Sequence, residues 1–442
     1  MLKNITSLSE TLKNYWKSFF LIFFLLHSFI YVVSNTNFTF LEDTFLKLNL
    51  QLLILTLWLK KENLKVDFNW CVWLGLGLFL IFLSVHSSED YWRSSEKSLL
   101  DLSIIIFFVL LVINFKEELR KNTFIILFSI VATFVILALP ITLYELFNFN
   151  VIDSVNFYKT GENSELRLRK SDFTFYRHIR HFSYHAFIAS CFSYILWSYA
   201  PASRYLLKKI LFVIMLICFS SVLLTAGRAA VLALICFYVA DGFFARESFK
   251  QKIILCVQRG VTITLVICLS YVAIYYSSFS YPTELFFDQF IRSVNQESLS
   301  NSLNVASTGR LRFWEDALIA SFDRPIYGYG ASAYSFLDLF GSGAIAHPHN
   351  ALIQFILEYG YVGTIIFIVI GIKYCMQFLL IKDQLNQDNN IYFSLIAFLI
   401  AFLFYGIFDG VLFHPLPVFY FCFVVALMHC LNFVETKNQD VT

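Results

Sequence analysis

Residues 307–363 read STGRLRFWEDALIASFDRPIYGYGASAYSFLDLFGSGAIAHPHNALIQFILEYGYVG. The stretch begins polar, carries Arg310, Arg312, His347 and His349 among glycines and prolines, and ends inside a hydrophobic run. Its first part suits a loop that houses chemistry, and its last part suits a bilayer. Composition extends the second reading to the whole chain. Of 442 residues, 58% are hydrophobic and only 14% charged, against about 25% charged in a soluble domain. Mean hydropathy is +0.67. Apolar runs of about 20 residues, the length that crosses a bilayer core, recur along the chain. A β-barrel would show short alternating segments instead. The chain therefore reads as all-α, a polytopic helical membrane protein in a single integral membrane domain over residues 1–442.

About 12 transmembrane helices are expected, near 17–34, 41–59, 68–85, 98–115, 122–146, 182–200, 207–225, 227–243, 255–276, 351–372, 391–409 and 413–433. Basic residues sit in alternate short loops: Lys60, Lys61 and Lys65; Lys116, Arg120 and Lys121; Arg204, Lys208 and Lys209; Arg246, Lys250 and Lys252. Such loops face the cytoplasm, which puts both termini inside. The first apolar run lacks a cleavage-site pattern and reads as a retained span rather than a signal peptide. Two long loops, 147–181 and 277–350, then face outward, together with Gly227-Arg228 and the turn at Asp409 and Gly410. Long loops escape the charge rule, yet these carry many arginines, and an anionic substrate on the outer face accounts for them.

Several function classes recede. A net charge of +2 implies no nucleic-acid partner. Nine cysteines lie in or beside apolar runs without a CxxC and read as small buried hydrophobes. Ionisable residues are sparse in the spans, which counts against a transporter. Gly75 and Gly77, like Gly360 and Gly363, read as close-packing points between helices.

The polar residues carry the chemistry. Arg310–Ile319 reads as a short amphipathic helix with Leu311, Trp314, Ala317 and Leu318 on its apolar side, closed by Pro325. His347, Pro348, His349 and Asn350 stand where the outer loop enters a span. The proline restrains the backbone, and an imidazole can take a proton from a hydroxyl near neutral pH. Asn350 would orient a ring or the substrate. Two histidines two residues apart, without a set of carboxylates, are a weak zinc pattern, so no metal is expected. Arg177 and Arg180 precede one span and Arg228 opens another, where unpaired helix amides and guanidinium groups favour a phosphate. Arg312 serves either the anion or plain solvation. Glu358 follows two turns into the span after Asn350.

This order of motifs resembles the O-antigen ligase and polymerase superfamily. The matching features are Gly227-Arg228, Gly309-Arg310 with Trp314, Pro325 with Gly328 and Gly330, His347-Pro348-His349-Asn350, and Glu358 with Gly360 and Gly363. The likeness covers mainly residues 180–370. It implies a bacterial inner-membrane glycosyltransferase whose active site, in the catalytic loop 277–350, faces the periplasm among membrane lipids. The implied donor is a glycan on undecaprenyl pyrophosphate, and the implied reaction is ligation to a lipid A–core acceptor, inverting, with neither cofactor nor metal. Polymerisation of lipid-linked repeat units and protein O-oligosaccharyl transfer are the alternatives within the family; a polysaccharide-lipid transporter is the non-enzymatic one. Protein-directed relatives carry a longer C-terminal portion, which favours the ligase. Carried over, Arg228 and Arg310 would hold the pyrophosphate with Arg180 and Arg177 nearby. His349, which precedes Asn350, or else His347, would act as base.

Overall fold

The computed structural model describes residues 75, 78–79, 81–148, 179–201, 203–224, 227–244, scattered positions within 251–272, and 310–337, 339, 347–380 and 390–432. The expected spans 17–34 and 41–59, most of 68–85 and 255–276, and most of the loops 147–181 and 277–350 lie outside the described residues. Among the described residues every regular element is helical.

In chain order these are α1 (Tyr91–Lys121), α2 (Thr123–Thr133), a π-helical turn (Phe134–Ala138), α3 (Leu139–Asn148), α4 (Ile179–Tyr199), α5 (Tyr205–Leu224) and α6 (Arg228–Phe244). Then come α7 (Arg310–Ser321), α8 (Ala333–Phe336), α9 (Ala351–Leu380), α10 (Asn390–Phe408), a 3-10 turn (Val411–Phe413) and α11 (Pro415–Asn432). Among the described residues, four stretches are long and apolar enough to cross a membrane: Thr123–Tyr144, Tyr205–Leu223, Ala351–Lys373 and Ile391–Phe408. Pro415–Leu431 is a shorter apolar helix. The π-helical turn has a local cause. Pro140 lacks an amide and its ring crowds the carbonyl four residues back, so the ladder widens and Leu139 N bonds Phe134 O.

Helix α4 lies at the centre. Residues 181–196 are buried on every side, and α2, α5, α6, α10 and α11 all pack on it. A helix covered all round is a core helix. Aromatic rings fill the interfaces: Phe108 meets Phe419 edge-on at 4.8 Å between α1 and α11, and Phe192 meets Phe398 at 5.2 Å between α4 and α10. The buried carboxylate of Asp241, costly in lipid, is paired. Asp241 of α6 accepts from Tyr194 of α4 at 3.0 Å and from Ser394 of α10, which ties three helices together.

Gly75 and Gly360 differ from their sequence reading, and Gly77 lies outside the described residues. Among the described residues, a Cβ added at Gly75 would meet nothing within 4 Å. Gly360 is a break inside α9 (φ 70, ψ 175), where a Cβ would lie 2.6 Å from the backbone of Ile326 and 2.7 Å from Pro325 O. It serves contact with a loop rather than helix–helix packing.

Candidate functional site

The starts of α4, α6, α9 and α11 and the end of α10 meet at one end of the bundle, and the side chains singled out in the sequence gather there. Helix α10 stops at Phe408; Asp409 N bonds Tyr405 O at 2.9 Å, and Phe413 N bonds Gly410 O at 3.0 Å to close the turn. This connection sets Asp409 and His414 at the bundle end. Facing it, residues 347–350 lead into α9. Asn350 caps that helix: its Oδ1 accepts Ile353 N at 3.1 Å, which satisfies an otherwise unpaired amide. The side chain expected to orient a ring or the substrate is occupied in this way.

His349 and Asp409, 60 residues apart in sequence, are in contact. His349 Nδ1 lies 3.1 Å from Asp409 Oδ1, and the same oxygen accepts Gly410 N at 2.9 Å. Both side chains are buried, at 9% and 7% exposure. A carboxylate can only accept, so the neutral imidazole carries its proton on Nδ1 and Nε2 is the basic nitrogen. Arg310, at the start of α7, donates from Nη1 to Phe408 O and holds Nη2 4.0 Å from Asp409 Oδ1. Its guanidinium thereby meets the last carbonyl of α10, where a cation is favoured. Arg228, at the first position of α6, is close enough to Arg310 for the two charges to repel. Arg228 opens α6 and Arg310 opens α7, and the unpaired amides of helix starts favour an anion.

Behind this pair stands a cluster of imidazoles. His347 meets His349 at 4.2 Å and His414 at 5.1 Å between ring centroids. His181, from α4, meets His414 at 4.6 Å. His347 also stacks on Phe413 at 4.8 Å, and Lys97 of α1 lies over the same Phe413 ring, 5.7 Å from its centroid. His414 sits in the turn before the α11 span. Burial holds it well below the usual imidazole range, and His181 and His347 push the same way. Among the described residues no three His, Cys, Asp or Glu side chains are arranged to hold a metal ion.

The loop carrying Arg310 is fastened to the helix that follows His349. Trp314 Nε1 donates to Pro348 O at 2.9 Å. Tyr329 N and Gly330 N donate to Leu357 O and Glu358 O at 2.9 and 3.0 Å, and Tyr361 N donates to Pro325 O at 2.7 Å. The break at Gly360 releases backbone groups of α9, and the loop takes them up. Gly328 lets the two backbones touch; a Cβ there would lie 2.5 Å from Glu358 O. The Glu358 carboxylate accepts Ser332 N at 2.8 Å and Gln354 Nε2 at 3.1 Å, so it fastens the loop rather than reaching the imidazoles.

The structure thus brings together Arg228, Arg310, His347 and His349, with Asn350 and Glu358 in supporting contacts. Arg312 is exposed on α7. Arg177 lies outside the described residues, and of Arg180 only the backbone, in the first turn of α4, is described. Sequence reading noticed Asp409 only as part of a turn and gave His414 no role. The available signal was an acid in a short turn between two apolar runs.

Comparison with known proteins adds one match. Residues 210–368 fit a family model described as O-antigen ligase. That segment includes Arg228, Arg310, His347 and His349 and stops before Asp409. No curated protein matches the chain.

Proposed function

Through residues 210–368 the chain belongs to the O-antigen ligase superfamily, and from that premise we propose that it is a ligase moving a glycan from undecaprenyl pyrophosphate to a lipid A–core acceptor at the periplasmic face of the inner membrane. The observation that carries this reading is the Arg228–Arg310 pair beside the His349–Asp409 contact. An anion-binding pair next to an oriented base is what transfer from a glycosyl pyrophosphate requires.

In this reading Arg228 and Arg310 hold the donor pyrophosphate and stabilise the charge it gains as it leaves. Asp409 keeps the His349 proton on Nδ1 and steadies the imidazolium that forms. His349 Nε2 takes the acceptor hydroxyl proton as that oxygen attacks the anomeric carbon. The carbon–oxygen bond to pyrophosphate breaks, undecaprenyl pyrophosphate departs, and one displacement inverts the anomeric centre. Cleavage of the glycosyl pyrophosphate supplies the driving force, so neither ATP nor a divalent metal enters the scheme.

The test uses purified protein in detergent, without ATP and with chelator, given lipid-linked glycan and lipid A–core. Transfer is expected, with Asp409→Asn lowering kcat about 10²-fold or more and Arg228→Ala abolishing donor capture. Extension of lipid-linked repeat units in the absence of lipid A–core would replace the ligase reading by a polymerase. Well-folded protein giving neither product would overturn both.

A further inference from the structure

Why is His349 held in a conformation that side chains avoid? Its φ is 58, and it shares positive φ with Ser332 alone among the described non-glycine residues. Such backbone is strained and persists only where the surroundings over-determine it. Here the partner is two residues away. His349 N donates to His347 Nδ1 at 3.2 Å, across Pro348, whose ring limits the backbone of His347 as well.

We infer that His347 is a positioning residue: a neutral imidazole whose Nδ1 accepts the His349 amide and thereby holds His349 in the left-handed backbone that brings its own Nδ1 to Asp409. A nitrogen that accepts an N–H carries no proton, so the His347 ring proton is on Nε2. The two histidines then hold opposite tautomers, His347 protonated on Nε2 and His349 on Nδ1, and they differ in duty for that reason. The ring has little freedom. It is 5% exposed, stacked on Phe413 and set edge-on to His349 and His414. On another side it presses on Gly410, where a Cβ would collide with the imidazole. Gly410 therefore leaves the space that His347 fills, and its own amide fixes the Asp409 carboxylate. One residue of the turn accommodates both histidines.

The inference rests on His349 acting as base, so its test needs a readout that survives failure of that role. Nitrogen-15 spectra of labelled protein provide one. The Nδ1 resonance assigned to His347, identified by its disappearance in His347→Asn, is expected in the range of an unprotonated ring nitrogen whether or not any glycan is transferred. A protonated Nδ1 would overturn the inference. Kinetics give the second readout. Asn offers an acceptor oxygen where His347 Nδ1 stands, whereas Leu offers none. His347→Leu is expected to lower kcat about 10²-fold with donor KM changed less than about twofold, and His347→Asn to recover most of that loss. Equal loss in both variants at unchanged melting temperature would sink the proposal, as would full activity in His347→Leu.

Discussion

His414 shows how the site's environment becomes a property that can be measured. It packs against His181, Tyr184 and His347, with His349 and Asp409 close enough to act on its charge. Burial and the neighbouring imidazoles hold its folded pKa well below the value of about 6.5 that it takes in an unfolded chain. Between those two values the unfolded chain binds the extra proton, so stability falls as pH falls. The contribution is complete above about pH 6.5 and shrinks below it. Melting temperature measured from about pH 8 to about pH 5 should therefore drop more steeply for the wild type than for His414→Gln, which has no proton to gain. Equal slopes would mean that His414 takes up its proton alike in the folded and unfolded chain, and would refute this account. The comparison is internal, because every other residue is the same in both proteins.

At the scale of one element, α9 contains two glycines with opposite requirements. Gly360 combines positive φ with extended ψ, a region open essentially to glycine alone. A Cβ there would also strike the backbone of Ile326. Gly371, eleven residues on, is ordinary helix interior, and a Cβ there would meet nothing within 4 Å. Gly360→Ala should destabilise the protein by about 3 kcal/mol or more. Gly371→Ala should be neutral or stabilising by up to about 1 kcal/mol. Chemical denaturation in mixed micelles measures both, and equal behaviour would refute the account of the break. Gly360→Ala should also lower transfer activity, because the broken turn fastens the loop that carries Arg310. An unbroken α9 would leave Tyr329, Gly330 and Tyr361 without their present backbone partners.

At the scale of the molecule, the bundle acts as a frame that brings distant helix ends to one surface. Arg228, Arg310, His349 and Asp409 come from four separate parts of the chain, and each stands at or next to a helix terminus. If that surface faces outward, an impermeant maleimide applied to intact cells should label a cysteine placed at exposed Arg312, in a protein whose native cysteines are replaced. A cysteine placed at exposed Lys121, at the far end of α1, should react only after permeabilisation. The reverse pattern would invert the expected orientation and place the site on the cytoplasmic side.

Read without coordinates, the chain already disclosed its helical membrane class and several of the residues that gather at one end of the bundle. Long apolar runs force helices, because backbone amides in lipid must bond within their own segment. Helices run through 98–115, through 123–146 of the expected 122–146, and through 391–408 of the expected 391–409. Arginine and histidine stand out because charge is expensive in such a chain, so their places at run boundaries already suggested a site. Asp409 could not be assigned that way. A lone acid in a short turn looks like solvated punctuation until folding sets it against His349, 60 positions away. Nor did periodicity reveal the break at Gly360, since glycine is tolerated in membrane helices for several reasons. The division between His347 and His349 was equally closed to sequence reading. Both are imidazoles beside one proline, and only the contacts of Nδ1, with a backbone amide for one and a carboxylate for the other, separate them. Local patterns determine which segments are helical, whereas the roles of these residues depend on pairings between segments that only the tertiary fold creates.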